Sequence, residues 1–187
     1  MKKAVSLLMI LALLLGCAAC GSPKTGDAQN AAGSGQRTEE AAPSDGPGEK
    51  DAALIVNGSV VTPDMAVADV LAILGSEYSY EEAPSCIGDG LDGAYTFENA
   101  ILYTYKDAQG ERMTELSFSG GDVKTAGGIA IGASRDEVVA LYGEPTGSFG
   151  KSISYELGAA GGQSASLSFL IRDDAVAEIS VSSGARS

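Results

Sequence analysis

The sequence predicts an α+β domain of two tandem pseudo-repeats, one over residues 53–125 and one over 126–187. Each is expected to be a short helix followed by about three antiparallel strands, with the helices packed on one face of a sheet. Three observations predict this. The stretch Val70-Leu71-Ala72-Ile73-Leu74-Gly75 has a counterpart 68 residues later, Val138-Val139-Ala140-Leu141-Tyr142-Gly143. Strand-like runs follow each copy. Those runs also correspond: Tyr95-Thr96-Phe97 with Tyr155-Glu156-Leu157, and Thr114-Glu115-Leu116-Ser117-Phe118 with Ala177-Glu178-Ile179-Ser180-Val181. One such unit alone leaves a half-covered sheet and a marginal core, so the two are expected to form one cooperative domain.

The first helix is predicted to open at Thr62-Pro63, with Thr62 as N-cap and Pro63 at the first helical position. Val67, Val70, Leu71 and Leu74 fall at i, i+3, i+4 and i+7, one apolar face, and Gly75 suits a left-handed stop. Residues 78–85, with Glu81, Glu82 and Pro84, read as irregular, and the glycine-rich run 88–93 reads as turns. Strand signals begin at Tyr95-Thr96-Phe97. They continue through 101–105, where Ile101, Tyr103 and Tyr105 alternate with Leu102 and Thr104. A hairpin loop at 106–110 leads into 112–118, and Val123-Lys124-Thr125 extends or leaves the sheet. In the second half, Ser134-Arg135-Asp136-Glu137 has the form of a capping box. Val138, Leu141 and Tyr142 give the buried face, and Gly143 and Pro145 stop the helix. Ile153 to Leu157 is a strand, 158–162 a flexible loop, Leu167, Phe169 and Ile171 alternate, and Ala177, Ile179 and Val181 close the chain.

Two segments precede this domain. Residues 1–16 carry Lys2-Lys3 and then an apolar run from Ala4 to Leu15, the pattern of a secretory signal and too short for a stable bilayer span. Residues 17–52 are dominated by Gly, Ala, Ser, Pro and Gln without apolar periodicity, a composition that cannot offset the entropy of ordering. As a flexible tether this segment reaches on the order of 30 Å.

Charge and composition exclude several function classes. From Ala53 onward seven Lys and Arg stand against nineteen Asp and Glu. Nucleic acids and anionic lipids need a basic footprint, so the domain is not expected to bind either. The chain has no His, which removes Ser-His-Asp and Cys-His catalysis and His-ligated zinc or iron. No phosphate-binding loop and no Ser-x-x-Lys helix is present. No catalytic activity and no cofactor are expected.

Four residues at the leader's end, Leu14-Leu15-Gly16-Cys17, resemble the lipobox of bacterial lipoproteins, which implies diacylglycerol attachment at Cys17 and cleavage before it. Cys20, preceded by Ala18-Ala19 and followed by Gly21-Ser22, is the alternative, with Cys17 in place of the usual aliphatic residue three positions upstream. Further on, Gly132-Ala133-Ser134-Arg135-Asp136-Glu137-Val138 and Tyr142-Gly143-Glu144-Pro145, followed by strands, resemble the helix-plus-meander unit of the beta-lactamase inhibitor protein and the BamE (SmpA/OmlA) lipoproteins. Residues 64–181 resemble uncharacterised lipoproteins of Gram-positive bacteria through Ser85-Cys86, Gly90-Leu91-Asp92, Tyr95-Thr96-Phe97 and the Gly128-Ile129 to Ile131-Gly132 junction. The resemblance implies a lipid-anchored protein on the outer face of the cell membrane that binds an envelope protein or assembles an envelope complex. The inhibitor's aromatic-rich binding face has no parallel here, with no Trp in the chain.

Candidate site residues follow from these expectations. Cys86 is either a redox-sensitive thiol, a partner for Cys20, or a small apolar filler at a loop edge. Asp89 and Asp92, with Glu81 and Glu82, are weak candidates for an oxygen-ligand metal site, because Asp-x-x-Asp-Gly misses the spacing of a calcium loop. Tyr103, Tyr105 and Cys86 are the candidate partner contacts, provided the helices cover only one side of the sheet. Two functions are expected to compete: a non-catalytic protein-binding or envelope-assembly module, and an acidic sensor or carrier for a divalent cation or small cationic ligand.

Overall fold

The first paired strands of the described residues form a hairpin, β1 (Leu54–Val56) and β2 (Ser59–Val61), turned at Asn57-Gly58. Positive φ at both central positions, 49° and 79°, makes this the tight turn that Asn-Gly adopts most readily. The computed structural model describes residues 52–160 and 163–184, apart from the side chains at 158–160 and 163. The predicted leader, Cys17, Cys20 and the linker as far as residue 51 lie outside the described residues.

After the hairpin come α1 (Val67–Leu74), β3 (Ser79–Pro84), β4 (Leu91–Thr96), β5 (Ala100–Asp107), β6 (Gly110–Phe118) and β7 (Val123–Thr125). Then follow α2 (Arg135–Tyr142), β8 (Gly147–Phe149), β9 (Ser152–Ala160), β10 (Gln163–Arg172) and β11 (Ala175–Ser183). Strand β7 pairs with β1 to give a three-stranded sheet, β2-β1-β7. All other strands form one antiparallel sheet of order β3-β4-β5-β6-β11-β10-β9-β8. Its centre is the β6–β11 pair, where Leu116 faces Val181 and Phe118 faces Ile179.

Period-two alternation decides which face of this sheet is covered. Leu102, Leu116, Val181, Leu167 and Tyr155 lie in one row across five strands, all at 0% exposure. They share a core with Leu54, Val56 and Val61 of the small sheet, Val67 and Val70 of α1, and Val138 and Tyr142 of α2. Each fully buried aliphatic or aromatic side chain contributes about 1.5–3 kcal/mol.

This overturns the predicted α+β class of two helix-plus-three-strand repeats with helices packed on a sheet. Among the described residues the fold is mostly β, with an eight-stranded antiparallel sheet, a second sheet of three strands, and two helices of eight residues. The helices are too short to cover a sheet, and each buries only two side chains. Four strands were hidden from the pattern. β1 and β2 have three residues each, β8 likewise, and β3 is an edge strand exposed on both sides, so it has no apolar alternation to read. The irregular stretch predicted at 78–85 is therefore a strand. The loop predicted at 158–162 is narrower, since β9 continues to Ala160.

The helix starts also differ. Thr62-Pro63 is a turn closed by the Met65 N–H donating to the Thr62 carbonyl at 3.1 Å, and α1 begins only after Ala66. Ala66 is held extended by a bridge to Arg112 of β6, which delays the helix by a turn. Ser134 forms the full capping box with Glu137. Gly75 and Gly143 stop their helices with φ of 98° and 78°, but with ψ near −170°, not the left-handed helical value expected. The chain therefore runs out extended toward the next strand, a conformation open essentially only to glycine.

Candidate functional site

Among the described residues, no helix or strand packs on the opposite face of the eight-stranded sheet. One row across it reads Ser79, Thr96, Ile101, Ser117, Ser180, Ser168 and Ser154. The next reads Glu81, Ala94, Tyr103, Glu115, Ser182, Ser166 and Glu156. Small hydroxyl side chains leave the first row low, and the Ser166 and Ser182 hydroxyls bond to each other at 2.8 Å. Tyr103 stands above this surface at 38% exposure, between Ala94 and Glu115. At the far edge Phe149 is 91% exposed, beside Ser152 of β9.

The face is acidic. Glu81, Asp92, Glu115, Glu156 and Glu178 all fall on it by register. Arg112, on the same face, is bound to Asp107 through two contacts of 2.6 and 3.1 Å and lies over the Tyr105 ring, 4.9 Å from its centroid. The hydrogen bonds from Arg112 hold the Asp107 carboxyl below the usual carboxylate range.

The residues predicted as contacts divide. Tyr103 is presented outward. Tyr105 is not: the 85–90 segment closes over its ring, and its hydroxyl accepts a hydrogen bond from the Gly90 N–H at 3.2 Å. A Cβ at Gly88 or Gly90 would overlap the phenol, which is why the turn-rich run carries glycine there. Cys86 is an exposed free thiol on this segment, and Asp89 is exposed near its tip. Asp92 lies apart on β4, opposite Tyr105. Among the described residues no three His, Cys, Asp or Glu side chains converge as a metal site, so Asp89, Asp92, Glu81 and Glu82 are not brought together.

A second cluster, missed in the sequence, lies on the covered side of the sheet at its β3 end, where the core gives out. Tyr80 stacks on Tyr95 with ring centroids 4.5 Å apart, and Tyr78 meets Tyr95 edge-on at 5.1 Å. The Tyr80 hydroxyl donates to Glu82 at 2.8 Å. Tyr95 and the buried Thr104 donate to Glu111 at 3.2 and 2.8 Å. Burial, then the Glu111 charge and its hydrogen bond, push the Tyr95 phenol up to about 12. Burial and then Glu82 push Tyr80 up as well. The sequence signal for this strand is slight: Tyr78 and Tyr80 fall on one side of the chain, but Tyr78 precedes β3 and Glu82 breaks the apolar pattern.

Compared with protein-family models, curated proteins and solved structures, the chain matches none.

Proposed function

We propose that the protein is a lipid-anchored extracytoplasmic module without catalytic chemistry that docks an envelope protein bearing a basic surface on the open face of its eight-stranded sheet. The open face is the observation that carries this reading. Seven strand spacings give it a width of about 34 Å, and a depth of about 20 Å makes it roughly 700 Å², close to one side of a standard protein interface. Tyr103 projects from it, and tyrosine combines a large apolar body with a polar tip, as interface anchors do. Glu81, Glu115, Glu156 and Glu178 set the sign of the partner, since complementary charge steers encounter and excludes other acidic proteins.

The lipobox-like Leu14-Leu15-Gly16-Cys17 and the polar, aperiodic sequence behind it support anchoring. More than one acyl chain on Cys17 would hold the protein at the membrane stably. A divalent-cation sensor gains no support from the geometry of the described acids.

Cross-linking the intact protein in the envelope, followed by pull-down, tests docking. A partner recovered by the parent chain and lost with Tyr103→Ala supports the reading, and equal recovery by both counts against it. Lipid labelling of Cys17→Ser tests the anchor separately. Labelling should be abolished, and persistent labelling would move the site to Cys20.

A further inference from the structure

On the covered side, away from the open face, a cleft of about 250 Å³ lies among the three-stranded sheet, the end of α1 and the turns joining β4 to β5 and β6 to β7. Val56, Leu74, Phe97, Ala100 and Phe118 line its apolar part. Glu77, Glu98 and Asp122, all exposed, stand around it, and no Lys or Arg lines it. Backbone hydrogen bonds fix the walls: Asn57 N–H to the Asp122 carbonyl at 3.0 Å, Phe97 N–H to Ala100 at 2.8 Å, and Ser119 N–H to Asn99 at 2.9 Å. The cleft is thus formed in advance of any ligand, which lowers the entropy lost on binding.

Charge and shape together select the ligand. Helix α1 ends at this cleft with no basic residue in its last turn, so its terminal carbonyls add to the negative potential of the three carboxylates. Those carboxylates do not converge on a point that a metal ion could share. A dispersed acidic rim above an apolar floor instead suits a group with a charged head and a hydrocarbon stem, the division of surface that lysine and arginine side chains exploit. The volume is below the roughly 300–1,000 Å³ of pockets for drug-sized ligands and fits a group of about one side chain.

We propose that this cleft binds an amphipathic monocation, an ammonium or guanidinium carried on an aliphatic stem. The stem lies on Leu74 and Phe97, the half-buried apolar residues of the lining, and the head stays at the rim between Glu98 and Asp122. The ligand is either a lysine or arginine side chain of a peptide or a free alkyl amine, which present the same chemistry. This site is independent of docking on the open face, because Ala100 and Phe118 belong to the opposite side of the sheet.

Calorimetric titration of the full mature chain with n-alkylammonium salts tests the proposal. Saturable binding should tighten about three- to fourfold per methylene from propyl to hexyl, as the stem is buried. Hexanoate, which has the same stem and the opposite charge, should not bind. Glu98→Gln and Asp122→Asn, both at exposed positions, should each weaken hexylammonium about two- to fivefold without moving the melting temperature. A capped lysine peptide that competes with hexylammonium identifies the ligand as a protein side chain, and failure to compete identifies a free amine. Absence of saturable binding at millimolar hexylammonium would overturn the proposal. So would equal binding of hexanoate, affinity independent of chain length, or unaltered affinity in the two variants.

Discussion

Replacing Glu111 by Gln and by Ala separates charge from hydrogen bonding in the tyrosine–glutamate cluster. Thr104 is 2% exposed, and its hydroxyl donates to Glu111 at 2.8 Å. A glutamine keeps an acceptor in reach, so Glu111→Gln should change stability at neutral pH by no more than about 0.5 kcal/mol. Glu111→Ala leaves the buried hydroxyl without its acceptor and should cost about 1–3 kcal/mol. For a domain of this size that is a melting-temperature drop of about 3–12 °C. The same substitutions move the Tyr95 phenol. Its raised value of about 12 means that the folded state holds the phenolic proton more tightly than the unfolded chain, where it leaves near 10. The associated stability is complete below pH 10 and is lost as the pH rises from there through about 12. Without the Glu111 charge, Tyr95 should titrate earlier, yet still above 10, because burial is the largest cause of its shift. Absorbance of the phenolate near 295 nm against pH reads this directly, with Tyr95→Phe assigning the step. The reasoning is refuted if Glu111→Gln destabilises as much as Glu111→Ala, or if the alkaline titration is the same in parent and Gln variant.

Three further outcomes follow from single positions. In Gly93→Ala the new Cβ would stand 2.6 Å from Thr104 Oγ1 and 3.0 Å from the Tyr80 hydroxyl, and buried Thr104 cannot yield. Thermal unfolding should show a loss of about 1–3 kcal/mol, and an unchanged melt would contradict the packing described. Ser134→Ala removes the acceptor for the Glu137 N–H and should lower the melting temperature by about 3–5 °C. Bonds from the Ser134 N–H and then from its hydroxyl hold the Glu137 carboxyl below its ordinary range, so their stabilisation is full above about pH 4.5 and lost as pH falls through the lower folded value; the alanine keeps the N–H, so the acid limb of stability should be only slightly shallower in the variant. Gly58→Ala forces a side chain to adopt φ of 79° in the opening hairpin and should cost about 1 kcal/mol by urea denaturation, even though the space there is open.

Much of the large sheet was legible because its covered strands alternate. Leu102 with Thr104, Leu167 with Phe169, and Ile179 with Val181 each announce a strand with one buried face. The capping box at Ser134 was legible because it is a local exchange of hydrogen bonds that needs no tertiary partner. The start of α1 was not, because Thr62-Pro63 satisfies the local rule for a helix opening while a distant bridge from Ala66 to Arg112 keeps the backbone extended. The small sheet was hidden by length, its one local mark being Asn57-Gly58 between Val56 and Ser59, a pair that favours a tight hairpin turn. Tyr103 and Tyr105 looked equivalent by alternation. Only the fold of the 85–90 segment, set by glycines at 88 and 90, covers one and leaves the other outward.

An exposed sheet offers a partner two routes, its edges or its face, and the edges argue against themselves. Strand β3 is exposed along all six residues, yet it carries Glu81 and Glu82 in its middle and ends in Pro84, which has no N–H to donate. A strand added there would pair with few donors beside two carboxylates. Strand β8 has only three residues between Thr146 and Gly150, too few for a stable ladder. The face has neither defect: its backbone groups are already paired within the sheet, and its side chains are mainly small, polar or acidic, with Tyr103 projecting from it and Phe149 exposed at the far edge. The two routes also differ in what they sense. Tyr103 is on β5, third from the β3 edge, so a partner adding a strand to that edge would not depend on it, whereas a partner lying across the face must cover it. Dependence on Tyr103 therefore reports the route as well as the partner.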